Sequence, residues 1–295
     1  MRPRLLAELI LLGIGYALYT LTRDLAPARR QVAFADADAI RTAEGWLHIA
    51  GERQANLWLT MHPVVATAAD YYYATVHFVA VIAMLVWLYW RHPALYRRAR
   101  AVLVATTLAA LAVFWLFPVA PPRLLPGYVD TLVVMHTWGS WGTAGVSQLA
   151  NPYAAMPSLH TAWAAWTAGV VAIASGRMVI RIAAAAYPLL TIAVIVTTAN
   201  HYWLDAVGGL VILVAAVGVV LAASPVLAAD GIRTADWAGQ IGRASRVWAI
   251  QLIHVAWACC QAAMIWSALP GYCMTGQRPV GAPCEANAHG CARMR

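Results

Sequence analysis

The sequence predicts an all-α, polytopic membrane protein, and three observations support this fold class. Hydrophobic residues make up 62% of the 295-residue chain and charged residues only 11%, whereas a soluble domain carries about 25% charged residues. The mean hydropathy is +0.65. Six apolar runs are each long enough to cross the hydrocarbon core of a bilayer. Together these observations argue against a soluble globular domain.

The six runs are the predicted membrane spans. They cover residues 5–21, 71–90, 101–120, 157–175, 182–199 and 202–223. The first run follows Arg2 and Arg4 and resembles a signal peptide, but Glu8 and Tyr16 interrupt it and no small-residue cleavage site follows. We therefore expect an uncleaved first span.

Between the first two spans, residues 22–62 are polar and carry five arginines and five acidic residues. Ile40, Leu47 and Ile49 recur there at roughly helical spacing. This pattern predicts an amphipathic helix at the membrane interface.

The predicted membrane domain is residues 1–223, and residues 224–295 form a cytoplasmic or membrane-associated extension. Residues 247–269 are uncharged and fit either a seventh span or a surface helix. All five cysteines lie in this extension, and the sequence assigns them no function.

The charge pattern predicts how the chain crosses the membrane. All 20 basic residues are arginines, and the net charge is +8. Residues 91–100 contain four of them and residues 177–181 two, whereas Arg123 stands alone in the loop after the third span. Arginine-rich loops remain in the cytoplasm, so we expect both termini inside and residues 118–156 outside the cell membrane. The arginines form no stripe that could follow a duplex, so nucleic-acid binding is not predicted.

Three polar segments fall at the same predicted outer end of the spans: residues 120–126, 156–160 and 200–205. In the third segment, His201 and Asp205 are four residues apart, which places them on one helix face. A carboxylate that orients a histidine produces a nucleophile able to attack phosphorus. A polar pair at a helix start is the alternative interpretation.

His160 follows Pro157 at the start of the fourth span, where a helix N-terminus can hold an anion. There it could protonate a leaving alcohol, although a purely structural histidine is the alternative. Ser158 is placed either to cap this helix or to offer its hydroxyl to an anion. Arg123 lies among prolines that stiffen its loop, so it could clamp a phosphate or contact lipid head groups.

The segments Pro157-Ser-Leu-His160 and His201-Tyr-Trp-Leu-Asp205 resemble the second and third motifs of the type 2 phosphatidic acid phosphatase (PAP2) superfamily. The resemblance covers about residues 5–223. Three further details are most similar to the inositol phosphorylceramide synthase-like branch of that superfamily: Pro121-Pro-Arg123, Asn151-Pro-Tyr153 and Asn200-His-Tyr202.

The resemblance implies a six-span catalytic domain, no metal, no cofactor and a phosphohistidine intermediate. It implies His201 as nucleophile, Asp205 as its partner and His160 as the acid for the leaving group. Arg123, Ser158 and Asn200 are the expected phosphate-binding residues. His77 in the second span, Asn151 and Tyr153 are expected around the site.

The chain departs from the superfamily pattern in two places. It contains no lysine to begin the first motif, and Val194 and Ile195 stand where the third motif has Ser-Arg. Two positive phosphate contacts are therefore missing, which suits a phosphodiester better than a more highly charged monoester. We expect transfer of a phosphoryl head group from a phospholipid, such as phosphatidylinositol, to a lipid alcohol. With water as acceptor, the same residues would make a phosphatase of phosphatidic acid or polyprenyl phosphates.

Three other interpretations of the sequence are a transporter, an inactive superfamily member and a metal site. A transporter would show paired broken helices in two matching halves, and the sequence has none. An inactive superfamily member is disfavoured because all three catalytic positions are present. A metal site formed by His160, His201 and Asp205 stays open and predicts activity that a chelator abolishes. The sequence leaves the oligomeric state open.

Overall fold

The computed structural model describes residues 29–137 and 152–223, together with eight helical residues between positions 5 and 17. This part of the chain is all-helical, apart from an isolated parallel bridge between Val119 and Ala154. In chain order its elements are α1 (Arg30–Trp46), α2 (Glu52–Thr60), α3 (Pro63–Arg91), α4 (Pro93–Leu116), a 3₁₀ turn (Pro122–Leu124), α5 (Thr131–Val134), α6 (Leu159–Ala174), α7 (Met178–Thr197) and α8 (Trp203–Ala222).

Four of these helices, α3, α4, α7 and α8, are long and apolar enough to cross a membrane. Their outward faces are apolar: on α8, for example, Val207, Val211 and Val214 are about half exposed, as expected of a lipid-facing stripe. The chain is therefore a multi-pass membrane protein, with four candidate spans in the part that the structure describes. The predicted count of six is not confirmed, because α6 has only 16 residues and the first predicted span is described only in part.

The short helix α6 lies at the centre of the bundle and packs against α3, α4, α7 and α8. It is apolar on all sides, which is typical of a fully surrounded helix. Trp163 Nε1 donates to Thr107 Oγ1 at 3.1 Å, and Trp166 Nε1 donates to the Ala99 carbonyl at 2.9 Å. These bonds show that α6 runs antiparallel to α4.

The arginine-rich segments and the predicted site lie at opposite ends of the bundle. Residues 91–100 and 177–181 cover the first turns of α4 and α7, which lie at the end of the bundle where α6 finishes. His160 and His201 lie at the other end, where α6 and α8 begin. The assignment of the arginine-rich end to the cytoplasm stays a prediction.

The first apolar segment is attached to the arginine-rich end through an acidic side chain. Glu8 forms an ion pair with Arg100 and accepts a hydrogen bond from the Tyr96 hydroxyl at 2.9 Å. The carboxylate is buried and would be costly in an apolar segment without these partners. Its ion pair and hydrogen bond therefore hold the segment against α4.

The predicted amphipathic helix in residues 22–62 is two helices, α1 and α2. The break follows from His48, whose φ of 56° ends the helical path after α1. On α1, a stripe formed by Ala33, Ala37, Ile40 and Glu44 is buried. Its apolar members pack against Val119, Ala120, Leu125, Ala155 and Tyr202 at the site end of the bundle. The apolar face of α1 is therefore covered by protein, and its placement at the membrane interface stays a prediction.

Several predictions fall outside the described residues. These are the extension 224–295 with its segment 247–269 and its cysteines, and Asn151 of the site. The domain boundary at residue 223 likewise stays a prediction.

Candidate active site

A tight turn between α7 and α8 carries His201. The backbone amides of Asn200 and His201 both donate to the Ile195 carbonyl, at 3.0 and 3.1 Å, and Ala199 donates to Val196 at 3.0 Å. This is a Schellman-type helix end, in which glycine usually takes the left-handed position. Here Ala199 takes it, with φ 54°, at a cost of about 1 kcal/mol. The turn reverses the chain at once and places His201 at the start of α8.

Arg123 and Asn56, from other parts of the chain, form hydrogen bonds with this turn. The Arg123 amide donates to the Ala199 carbonyl at 2.8 Å, and Arg123 Nη1 donates to Asn200 Oδ1 at 2.7 Å. Asn56 is fully buried, and its Nδ2 donates to the carbonyls of Thr197 and Val129 at 3.0 and 3.1 Å. Two of the predicted phosphate-binding residues, Arg123 and Asn200, are thus brought into contact with each other.

The contacts of His201 determine which of its nitrogens is free. His201 Nδ1 lies 2.8 Å from the Ala155 carbonyl oxygen and 3.3 Å from Asp205 Oδ2. A carbonyl oxygen can only accept, so Nδ1 carries the hydrogen. The predicted contact between His201 and Asp205 is present, and Nε2 is left with its lone pair.

Asp205 connects the starts of α6 and α8. It is fully buried, and its Oδ2 also accepts from the Tyr202 amide at 2.8 Å. Its own backbone carbonyl accepts from the Ser158 amide at 2.8 Å. One residue therefore orients His201, caps α8 and places the segment that carries His160.

His160 meets His201 across the site. His160 Nδ1 is 3.4 Å from His201 Nε2. The His160 ring stacks on Tyr73 with a centroid distance of 4.4 Å and meets the edge of His77 at 4.2 Å. His77, which the sequence places around the site, therefore contacts His160 directly. Tyr73 was missed by sequence reasoning, since a tyrosine within a span has many other uses.

The close approach of α6 to α8 depends on Gly209. A Cβ at this position would lie 2.3 Å from the Ser158 carbonyl oxygen, which is far inside van der Waals contact. Ser158 is fully buried, and its Oγ accepts from the Thr161 amide at 3.3 Å. Ser158 thus caps α6, and its contribution to phosphate binding stays a prediction.

The predicted clamp Arg123 has an acidic neighbour. Arg123 Nε lies 3.4 Å from Asp130 Oδ2, and both side chains are partly exposed. Asp130 follows a proline-rich loop with no periodicity, so sequence reasoning could not bring it to Arg123. Tyr153 packs its ring edge-on against Phe34 of α1, at 6.2 Å between centroids.

Buried carboxyl groups are the largest feature that sequence reasoning missed. Glu44, Glu52 and Asp70 are at most 2% exposed. Asp70 Oδ1 accepts from Thr131 Oγ1 at 2.7 Å, which ties α5 to α3. A signal for Glu44 was available, because it follows Ile40 by four residues on the apolar face of α1.

The arrangement can perform nucleophilic chemistry at phosphorus. A histidine with a free Nε2 faces a second histidine that can carry a proton, beside an arginine and an asparagine. Among the described residues, no group of three or more His, Cys, Asp or Glu side chains is arranged to hold a metal ion.

Comparison with known proteins identifies the family. Residues 38–219 match the family model described as PAP2 superfamily. Neither a curated protein nor a solved structure matches the chain significantly. The matched region covers more than half of the chain and includes Arg123, His160, His201 and Asp205. The chain therefore belongs to the PAP2 superfamily, whose members are membrane enzymes of the phosphatase and phosphotransferase type that act on lipid phosphates.

Proposed function

We propose that this enzyme transfers a phosphoryl head group from a phospholipid to a lipid alcohol through a phosphohistidine at His201. The observation that carries the proposal is the environment of His201. Ala155 and Asp205 occupy its Nδ1, and this leaves Nε2 facing His160. The proposal places the chain in the inositol phosphorylceramide synthase-like branch.

In the first step, His201 Nε2 attacks phosphorus and the bond from phosphorus to the diacylglycerol oxygen breaks. His160 donates its proton to that oxygen, and diacylglycerol leaves as the neutral alcohol. The attacking and leaving atoms lie roughly in line through phosphorus. The 3.4 Å between the two histidines is too short to hold phosphorus between them, so the His160 ring must move outward.

In the second step, the acceptor alcohol gives its proton to His160 and attacks phosphorus. The phosphorus–nitrogen bond breaks, and neutral His201 is restored. Asp205 stabilises the positive charge that develops on the His201 ring in the first step and is lost in the second. Proton and charge are thus balanced over the cycle without a further reactant.

The charge around the site supports a phosphodiester donor. Arg123 shares its charge with Asp130. Val194 and Ile195, where superfamily members carry Ser-Arg, are buried among apolar side chains. Little net positive charge therefore faces the phosphate. A diester carries about one negative charge and a monoester up to two, so the diester loses less from the missing cations.

The test is a metal-free assay of the purified protein in detergent. Labelled phosphatidylinositol with ceramide as acceptor is compared with phosphatidic acid and polyprenyl phosphate. Label that moves as inositol phosphate onto the acceptor lipid supports the proposal. Release of free phosphate from the monoesters alone would show a phosphatase and contradict the charge argument. Loss of activity in chelator would instead favour a metal site at the histidines.

A further inference from the structure

Two buried glutamates lie beside the first turn of α8, outside the set of groups that the mechanism uses. Glu44 of α1 and Glu52 of α2 are 0% and 2% exposed. Glu44 Oε1 accepts from the Leu204 amide at 2.8 Å, and Glu52 Oε1 accepts from the Tyr128 hydroxyl at 3.0 Å. Leu204 lies between His201 and Asp205 in the sequence, so Glu44 holds the first helical turn, which contains Asp205 and closely follows His201.

The second oxygen of each glutamate requires a partner. Glu44 Oε2 and Glu52 Oε2 are buried, and neither has a hydrogen-bond donor among the residues that the structure describes. The two carboxyl groups lie within hydrogen-bonding reach of each other. Ionised carboxylates only accept, so the pair is satisfied when one of the two carboxyl groups carries a proton and donates it to the other.

We propose that Glu44 is a positioning residue for His201: with Glu52 it forms a proton-sharing carboxyl pair that caps the first turn of α8. The inference rests on the proposed role of His201 as nucleophile. Asp205 accepts the Tyr202 amide from within the helix, and Glu44 accepts the Leu204 amide from α1. The two caps fix the turn from both sides, and with it the direction of His201 Nε2.

The proton on this pair limits the negative charge beside the site. Burial, and next the charge of Glu52, raise the pKa of Glu44 to about 9. Glu44 is therefore neutral at neutral pH, and it becomes a second carboxylate near Asp205 when the pH rises above 9. Repulsion within the buried group would then loosen the cap.

The other ionisable groups around the pair do not titrate first. Burial raises the pKa of Tyr128 and of Tyr202, so both phenols are still neutral when Glu44 loses its proton. Arg41, one turn earlier on α1, pairs with the exposed Asp38. Loss of the proton from Glu44 is therefore the change expected at alkaline pH.

The test measures the rate at which His201 is modified by an aryl phosphodiester. An aryl leaving group departs without a proton, so the titration of His160 does not hide that of Glu44. We expect the wild-type rate to fall as the pH rises through the pKa of Glu44. Glu44→Gln should keep the neutral-pH rate and lose this fall, because its amide still accepts from Leu204 and donates to Glu52.

Glu44→Ala removes the cap and should lower the neutral-pH rate about 10- to 100-fold, which is the cost of a small misplacement of a reacting group. Asp38→Asn, on the exposed face of the same helix, is the matched control and should behave as wild type. An alkaline fall in Glu44→Gln equal to that of wild type would overturn the inference, whether or not Glu44→Ala folds. A wild-type protein that forms no phosphohistidine would instead contradict the proposed function.

Discussion

The two histidines of the site are held in different ways. His201 follows a turn closed by hydrogen bonds to Ile195, and its ring donates to a backbone carbonyl. The His160 ring stacks on Tyr73, meets the edge of His77, forms a hydrogen bond with the Tyr73 backbone and makes one long contact to His201. A backbone hydrogen bond therefore orients each ring, and His201 in addition contacts the buried carboxylate of Asp205, where His160 contacts aromatic rings. This difference supports the proposed roles, because a carboxylate beside His201 stabilises the positive charge of a phosphohistidine ring.

The largest expected effect follows from removing His201, the proposed nucleophile. In His201→Ala no nitrogen can accept phosphorus, so we expect turnover to fall about 10⁴-fold or more and the phosphoenzyme to disappear. Trapping of ³²P-labelled protein in acid measures this. His92→Ala, at the arginine-rich end of the bundle, is the control and should retain label. Normal turnover in His201→Ala would remove the basis of the mechanism.

Removal of His160, the proposed proton donor, should lower activity less, and the loss should depend on the substrate. His160→Ala removes the proton for the leaving diacylglycerol, and turnover should fall about 10²- to 10⁴-fold. With an aryl phosphodiester the first step needs no proton, so labelling of His201 should return close to the wild-type rate. Equal losses on both substrates would show that His160 acts mainly by holding the structure.

The distance between His160 and His201 can be changed by a substitution at Gly209, where α8 touches the start of α6. Gly209→Ala places a methyl group 2.3 Å from the Ser158 carbonyl, which must push the start of α6 away from α8. We expect turnover to fall about tenfold and the free energy of unfolding to fall by about 1–3 kcal/mol. Gly218→Ala in the same helix meets nothing within 4 Å and is the control. Unchanged turnover in Gly209→Ala would show that the histidine spacing is not critical.

The smallest expected effect is a shift in substrate preference. Asp130→Asn removes the negative charge 3.4 Å from Arg123, so a more highly charged phosphate should bind better. Because this ion pair is partly exposed, we expect the ratio of kcat/KM for phosphatidic acid to that for phosphatidylinositol to rise about two- to fivefold. Asp38→Asn should leave the ratio unchanged. A ratio that falls would contradict the role given to Asp130.

Local patterns predicted much of the fold but not its boundaries. The spans predicted at 71–90, 101–120, 182–199 and 202–223 correspond to α3, α4, α7 and α8. α3 begins eight residues earlier than predicted, because His62 and Pro63 form a helix start that hydropathy does not detect. The prediction of one amphipathic helix in residues 22–62 was wrong, because the left-handed residue His48 separates α1 from α2.

In the candidate site, too, local spacing predicted some contacts and not others. The spacing of four residues predicted the contact between His201 and Asp205, although His201 precedes α8 and Asp205 makes the contact from the first turn of that helix. The contacts of Arg123 with Asn200 and Asp130, and of His160 with Tyr73, join residues far apart in the chain. Side chains of these types have many structural uses, and their positions in the sequence do not show which of them are in contact.

The sequence by itself determined that the chain crosses the membrane in helices, which residues are proposed to carry phosphoryl chemistry, and that few positive charges accompany them. These properties depend on the composition and spacing of neighbouring residues. Only the tertiary structure decided that Ala155 and Asp205 contact Nδ1 of His201, that Asp130 forms an ion pair with Arg123, and that Glu44 and Glu52 lie together beside the first turn of α8. Each of these depends on the packing of separate helices, where a burial or a hydrogen bond is made by residues that the chain order does not bring together.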